Sequence, residues 1–198
     1  MTAYDAVVLA GGAARRLGGT DKPALIVGGA PLLDRVLSAC VLAGATIVVG
    51  PERPTIRPVR WVREQPPGGG PVAAVAAALP WVTAEAVLLL AADLPFFDVA
   101  TAGRLLAELA EPSVDAAVLV DSGGRDQPLA AAYRAAPLRA ALARLIEDHA
   151  GDPTGLPLRR LVGDLATRRL PDLSGAAEDC DTWDDLRHAR ARDAQRSV

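Results

Sequence analysis

Apolar residues in this chain fall into two alternating kinds of stretch. Short, mainly apolar runs at residues 4–10, 46–49 and 86–92 show no regular alternation with polar residues, which is the pattern of strands buried on both faces of a parallel sheet. Between them the apolar positions recur at helical spacing. Leu33, Leu37, Cys40 and Val41 mark a helix that Pro31 can start and Gly44 closes, and residues 72–79 form an Ala-rich helix broken at Pro80. A third helix runs from Asp98 with Ala102, Leu105, Leu106 and Leu109 on one face. Two weaker runs, 24–27 and 59–61, read as short strands. Beyond residue 110 the order changes: 114–121 and 128–134 flank Ser122-Gly123-Gly124, the pattern of an antiparallel hairpin added to the sheet. Leu138, Ala141, Leu142, Leu145 and Ile146 mark the next helix, 158–165 a short one, 167–170 an edge strand, and Thr182 with Asp185 opens a charged final helix in capping-box spacing. Alternation of β and α predicts an α/β fold, a doubly wound and mostly parallel sheet, as a single domain over residues 1–198.

The residues that end these strands carry the chemistry. The first run leads into VVLAGGAARRLGGTDK at residues 7–22, where glycines let backbone N–H groups approach phosphate oxygens and Arg15, Arg16 and Lys22 supply opposite charge. It is neither a Walker loop, since Lys22 lies between Asp21 and Pro23, nor a G-x-G-x-x-G dinucleotide turn. Lys22 is the only lysine in the chain, and a compact ammonium kept among arginines suggests a tight pocket. The most apolar run, AVLLLAA, ends at Asp93, where open α/β sheets gather ligands. Asp93 reads as a metal ligand or a turn carboxylate; Asp181, in the acidic string CDTWDD, reads as a second ligand or as part of the final helix start.

Composition narrows the function classes. Aromatics are 4% and net charge is −3, which argues against a nucleic-acid surface built on stacking rings and basic residues. No apolar run approaches a membrane span, and residues 1–9 hold Asp5 and no basic segment, so the expectation is a cytoplasmic protein without membrane contact. Cys40 and Cys180 are too few for a disulfide framework; Cys40 is expected in the core. His149 and His188 lie in polar helical surroundings and support no nucleophilic triad.

LAGGAARRLGGTDK resembles the nucleotide-binding loop of the molybdenum cofactor guanylyltransferases and related nucleotidyltransferases, whose pattern is L-A-G-G-x-S-x-R-M-G-x-x-D-K. EQPPGGGPVAA, ADLPF, RDQPLAAAYR and CDTWDDL are similar to the later motifs of that family, so the resemblance runs end to end. It implies a Rossmann-like, three-layer nucleotidyltransferase fold and transfer of GMP from GTP to a phosphorylated molybdopterin-type acceptor, with pyrophosphate released. It also implies that Leu9, Ala10, Gly11 and Gly12 line the nucleotide, that Arg16 and Lys22 contact its phosphates, and that Glu64, Gly68, Gly69 and Gly70 border the base. Asp93 would hold Mg²⁺ with Asp181 assisting, which makes Arg16, Lys22 and Asp93 the catalytic set. GTP and the acceptor are the implied partners, with room for transient contact with other proteins of the cofactor pathway.

The chain departs from that pattern at Ala14 for Ser, at Ala74 for Gly, and at Asp179 and Asp181 for two Asn. Two other readings stay open: a cytidylyl or sugar-phosphate nucleotidyltransferase with the same loop, and a non-catalytic nucleotide-binding regulator. Loss of Lys22, Arg16 or Asp93 would mark the latter, and all three are present.

Overall fold

The computed structural model describes residues 3–12 and 17–196. The first apolar run is strand β1 (Tyr4–Leu9), and it lies inside a seven-stranded sheet. Five more of its strands run parallel to β1: β4 (Thr46–Val49), β5 (Arg60–Val62), β6 (Ala86–Ala91), β7 (Ala116–Val120) and β9 (Thr167–Pro171). Strand β8 (Asp126–Arg134) alone is antiparallel, and the order is β5-β4-β1-β6-β8-β7-β9. The expected antiparallel hairpin is thus part of the sheet, formed by β7 and β8. Its return strand pairs with β6 over residues 86–90 and separates β6 from β7. The expected edge strand is β9, at the sheet's end.

Absence of alternation in β1 has the expected cause, since both faces are covered. Tyr4, Ala6 and Val8 pack with α1 (Leu32–Ala39) and α3 (Val99–Glu108), whereas Val7 packs with α2 (Pro71–Ala78), α4 (Ala135–Glu147) and α5 (Leu158–Val162). These are the three layers. Asp5 interrupts the run and is buried all the same. Its carboxylate accepts hydrogen bonds from the N–H groups of Ala45 (2.8 Å), Thr83 (2.7 Å) and Ala84 (3.0 Å), tying two loops to the start of β1.

Two expectations are corrected. The run 24–27 is not one strand: a 3-10 turn, Lys22–Ala24, holds Pro23 and leads to β2 (Ile26–Val27), which pairs with β3 (Ala30–Pro31) in a separate small sheet. Val41 lies past the end of α1 and is 57% exposed, because Cys40 caps that helix; Cys40 itself is in the core as expected. A third cluster of buried side chains joins Val27 and Leu32 to Phe96, Cys180, Leu186 and Ala189. It docks α6 (Trp183–Arg196) against the small sheet and brings the acidic string back beside Lys22.

Candidate active site

The C-terminal ends of β1, β4 and β6 open into a cavity of about 640 Å³. Leu9, Gly11 and Gly12 line it from the end of β1, and Gly12 adopts φ of 126°, a backbone region that side chains disfavour. Asp93 lines it where β6 ends, and Asp181 comes from the string before α6. Glu64, Gly68 and Gly70 complete the wall, together with Pro71 at the first turn of α2.

Lys22 is the centre of this arrangement. Its Nζ contacts Asp93 Oδ2 and lies 2.5 Å from Asp181 Oδ1, with side-chain exposures of 14%, 16% and 46% in that order. Burial works against its charge, but the carboxylates of Asp93 and Asp181 outweigh burial and raise its pKa above the ordinary lysine value. Asp93 Oδ1 is buried with no hydrogen-bond partner among the described residues. A buried carboxylate oxygen left in that state costs free energy unless a hydrogen-bond donor or a cation meets it. Among the described residues no three His, Cys, Asp or Glu gather into a site that could hold a metal alone. The carboxylates of Asp93 and Asp181 could instead hold Mg²⁺, since that ion takes few protein ligands and keeps substrate oxygens and water among the rest.

Glu64 is buried, and its Oε1 accepts a hydrogen bond from the Gly68 N–H at 3.0 Å, which folds the Gly-rich segment back over the carboxylate. Asp179 reaches solvent on one side. The protein packed around the other side, then the charges of Asp181 and Asp93, push its carboxyl up to about 6, with Lys22 opposing. A second cavity, about 1140 Å³, lies between the β7–β8 turn and the acidic string, and Asp181 lines both cavities.

Of the residues expected at the site, Leu9, Gly11, Gly12, Lys22, Glu64, Gly68, Gly70, Asp93 and Asp181 share one cavity. Ala10 and Gly69 are buried behind its wall: a Cβ on Gly50 would meet the Ala10 carbonyl at 2.8 Å, and the Gly69 carbonyl accepts from the Gly155 N–H at 2.8 Å. Arg16 lies outside the described residues. Sequence reasoning missed Val49, Ala91 and Leu129, apolar wall residues with no local signature. It also missed Arg53, which stands in a polar Pro-rich loop and whose side chain is 12% exposed.

The nucleotidyltransferase character of this site is matched by known proteins. The model of the MobA-like NTP transferase domain matches residues 6–167. A probable molybdenum cofactor guanylyltransferase of Synechococcus elongatus is 37% identical over 143 residues, covering 67% of this chain and 73% of that protein. Among solved structures, the molybdopterin-guanine dinucleotide biosynthesis protein A of Archaeoglobus fulgidus superposes with a TM-score of 0.74 at 21% identity, covering 96% of this chain and 99% of that one. The 2-C-methyl-D-erythritol 4-phosphate cytidylyltransferase of Thermus thermophilus superposes at 0.71 and 21%, covering 94% and 96%, so the fold is common to enzymes acting on different bases. With its glycine loop, Lys22 and Asp93 gathered at the strand ends and the family model spanning most of its length, the chain belongs to the MobA-like NTP transferases.

Proposed function

We propose that the protein transfers GMP from GTP to a phosphorylated molybdopterin-type acceptor, in the cytoplasm, as a step of molybdenum cofactor synthesis. The observation that carries this reading is Lys22 held between Asp93 and Asp181 at a cavity that the buried Glu64 also lines. Guanine offers N1–H and an N2 amino group on one edge, two donors that a carboxylate can accept together. Cytosine pairs its amino donor with a ring acceptor, which a carboxylate would repel. Glu64 therefore favours GTP.

In the reaction an oxygen of the acceptor phosphate forms a bond to the α-phosphorus, the bond from that phosphorus to the bridging oxygen breaks, and pyrophosphate leaves with the electron pair. Positioning and charge are what the chain supplies. Backbone N–H groups at Gly11 and Gly12 border the phosphates, and the negative charge of an arriving triphosphate draws the Lys22 ammonium from its carboxylates toward the departing pyrophosphate. Asp93 and Asp181, so released, would hold Mg²⁺, which supplies Lewis-acid stabilisation of phosphoryl oxygens. Because Asp181 borders both cavities, the acceptor phosphate would approach from the second one.

A thermal-shift panel of GTP, CTP, ATP and UTP with Mg²⁺ tests the base: GTP should give the largest rise in Tm, and a CTP preference would sink the guanylyl reading. Pyrophosphate release from GTP should require molybdopterin. Release that is equally fast with a sugar phosphate would move the acceptor to another class.

A further inference from the structure

The loop that bears the site's cation is fastened at both of its described ends by one side chain with no part in the proposed chemistry. Arg53 leaves the loop after β4 and lies largely buried. Its Nη2 donates to Asp21 Oδ1 at 2.9 Å, its Nη1 reaches the Ala10 carbonyl at 3.4 Å, and its guanidinium carbon stands 5.8 Å from the centre of the Trp61 ring. Ala10 is the last residue before the glycine loop, and Asp21 immediately precedes Lys22. The chain backs this contact from below. Ala10 donates its N–H to Val49 at 2.8 Å, and Gly50, with φ of 151°, packs so close to the Ala10 carbonyl that no Cβ fits.

We infer that Arg53 is a positioning residue for the phosphate site: by joining Ala10 to Asp21 it fixes where Lys22 presents its ammonium. Geometry favours a guanidinium in this role, because its planar fork can serve a carboxylate and a carbonyl at once while keeping a face for the indole; a lysine ammonium is a point charge on a flexible stem. Asp21 takes up the Arg53 charge, so this cation does not compete with Lys22 for phosphate. Lys22 follows Asp21 in a 3-10 turn closed by the Ala24 N–H on the Asp21 carbonyl at 3.0 Å and the Leu25 N–H on the Lys22 carbonyl at 3.1 Å. A shift at Asp21 is therefore passed to Lys22. The catalytic cost of an ångström-scale misplacement can reach about 10²-fold.

This inference rests on the nucleotide reading, and its test separates the two. GTP binding to the wild-type protein with Mg²⁺ is measured calorimetrically, then repeated for Arg53→Gln, Asp21→Asn, the double variant and Arg53→Lys. Kinetics of pyrophosphate release follow, with GTP and acceptor varied separately. If wild type binds no nucleotide, the function itself fails. If it binds, either single variant should weaken GTP by about 10-fold, the double variant should be no worse than either single, and the acceptor KM should stay unchanged. Arg53→Lys should recover less than half of the lost affinity on a logarithmic scale. Asp21 is half exposed, so Asp21→Asn tests the clamp even where Arg53→Gln lowers expression. Losses that simply add, unchanged GTP affinity in Asp21→Asn, or an equal rise in acceptor KM would each overturn the assignment.

Discussion

Lys22 keeps its charge through the neutral range because two carboxylates outweigh its burial. With its pKa raised, the stability from that pairing is complete below the ordinary lysine value and disappears only as pH climbs through the raised one. Asp93 is the other half of this balance, with one oxygen on Lys22 and one buried without a hydrogen-bond partner among the described residues. Asp93→Ala should lower the rate of pyrophosphate release by about 10²-fold or more while the protein stays folded by circular dichroism; near-normal release would remove Asp93 from the chemistry. Glu64→Gln replaces one accepting oxygen with a donor, so the preference for GTP over CTP should shrink by roughly 10- to 100-fold in competitive binding. Asp179 is a conflict rather than a partnership. Its carboxyl titrates at about 6 against an ordinary 3.8, so the folded metal-free protein holds the extra proton between those values and its stability falls as pH rises through them. Asp179→Asn should flatten urea midpoints across that window and raise the midpoint at pH 7. A midpoint at pH 7 that fell instead would place a favourable cation partner beside Asp179.

Elements set which of these residues meet. Strands β1 and β6 end side by side, with Leu9 opposite Ala91, and that register alone brings the glycine loop to Asp93. Asp181 depends on a different device. Asp172 accepts hydrogen bonds from the N–H groups of Ala176 (2.9 Å) and Ala177 (2.8 Å), shaping the turn after β9. The Thr182–Asp185 capping box then starts α6, with the Thr182 N–H on Asp185 at 2.7 Å. Cys180 and Leu186, both buried, anchor the two sides of Asp181. Leu186→Ala should cost about 2–4 kcal/mol in denaturant unfolding and raise the KM for GTP, since the third cluster is what holds α6 on the small sheet. An unchanged KM would show that Asp181 is placed without α6.

At the scale of the whole molecule, two faces of one sheet account for most of the buried apolar surface, and the site occupies the rim where strand ends and loops gather. Among the described residues no helix is long and apolar enough to cross a membrane. Both thiols lie inside, and burial pushes each up to about 12. Neither should react with a disulfide reagent at pH 8 in the folded protein, and both should react in guanidinium. A fast reaction at Cys180 in the folded protein would mean that the segment around it, and with it Asp181, opens in solution.

The chain by itself determined the strands that are apolar on both sides and the helices that cover them, and it marked the glycine loop, Lys22 and Asp93, which share one cavity, because burial and strand ends leave local signatures. Short-range spacing also marked the capping box at Thr182. What it could not carry was pairing between distant residues. That Asp5 ties two loops to β1, that β8 enters between β6 and β7, and that Arg53 reaches both Ala10 and Asp21 depend on backbone and side-chain groups meeting across tens of residues, for which no local pattern exists. For the same reason Asp181 passes from one acid in a string to a wall of both cavities only once the third cluster has folded α6 back onto the small sheet.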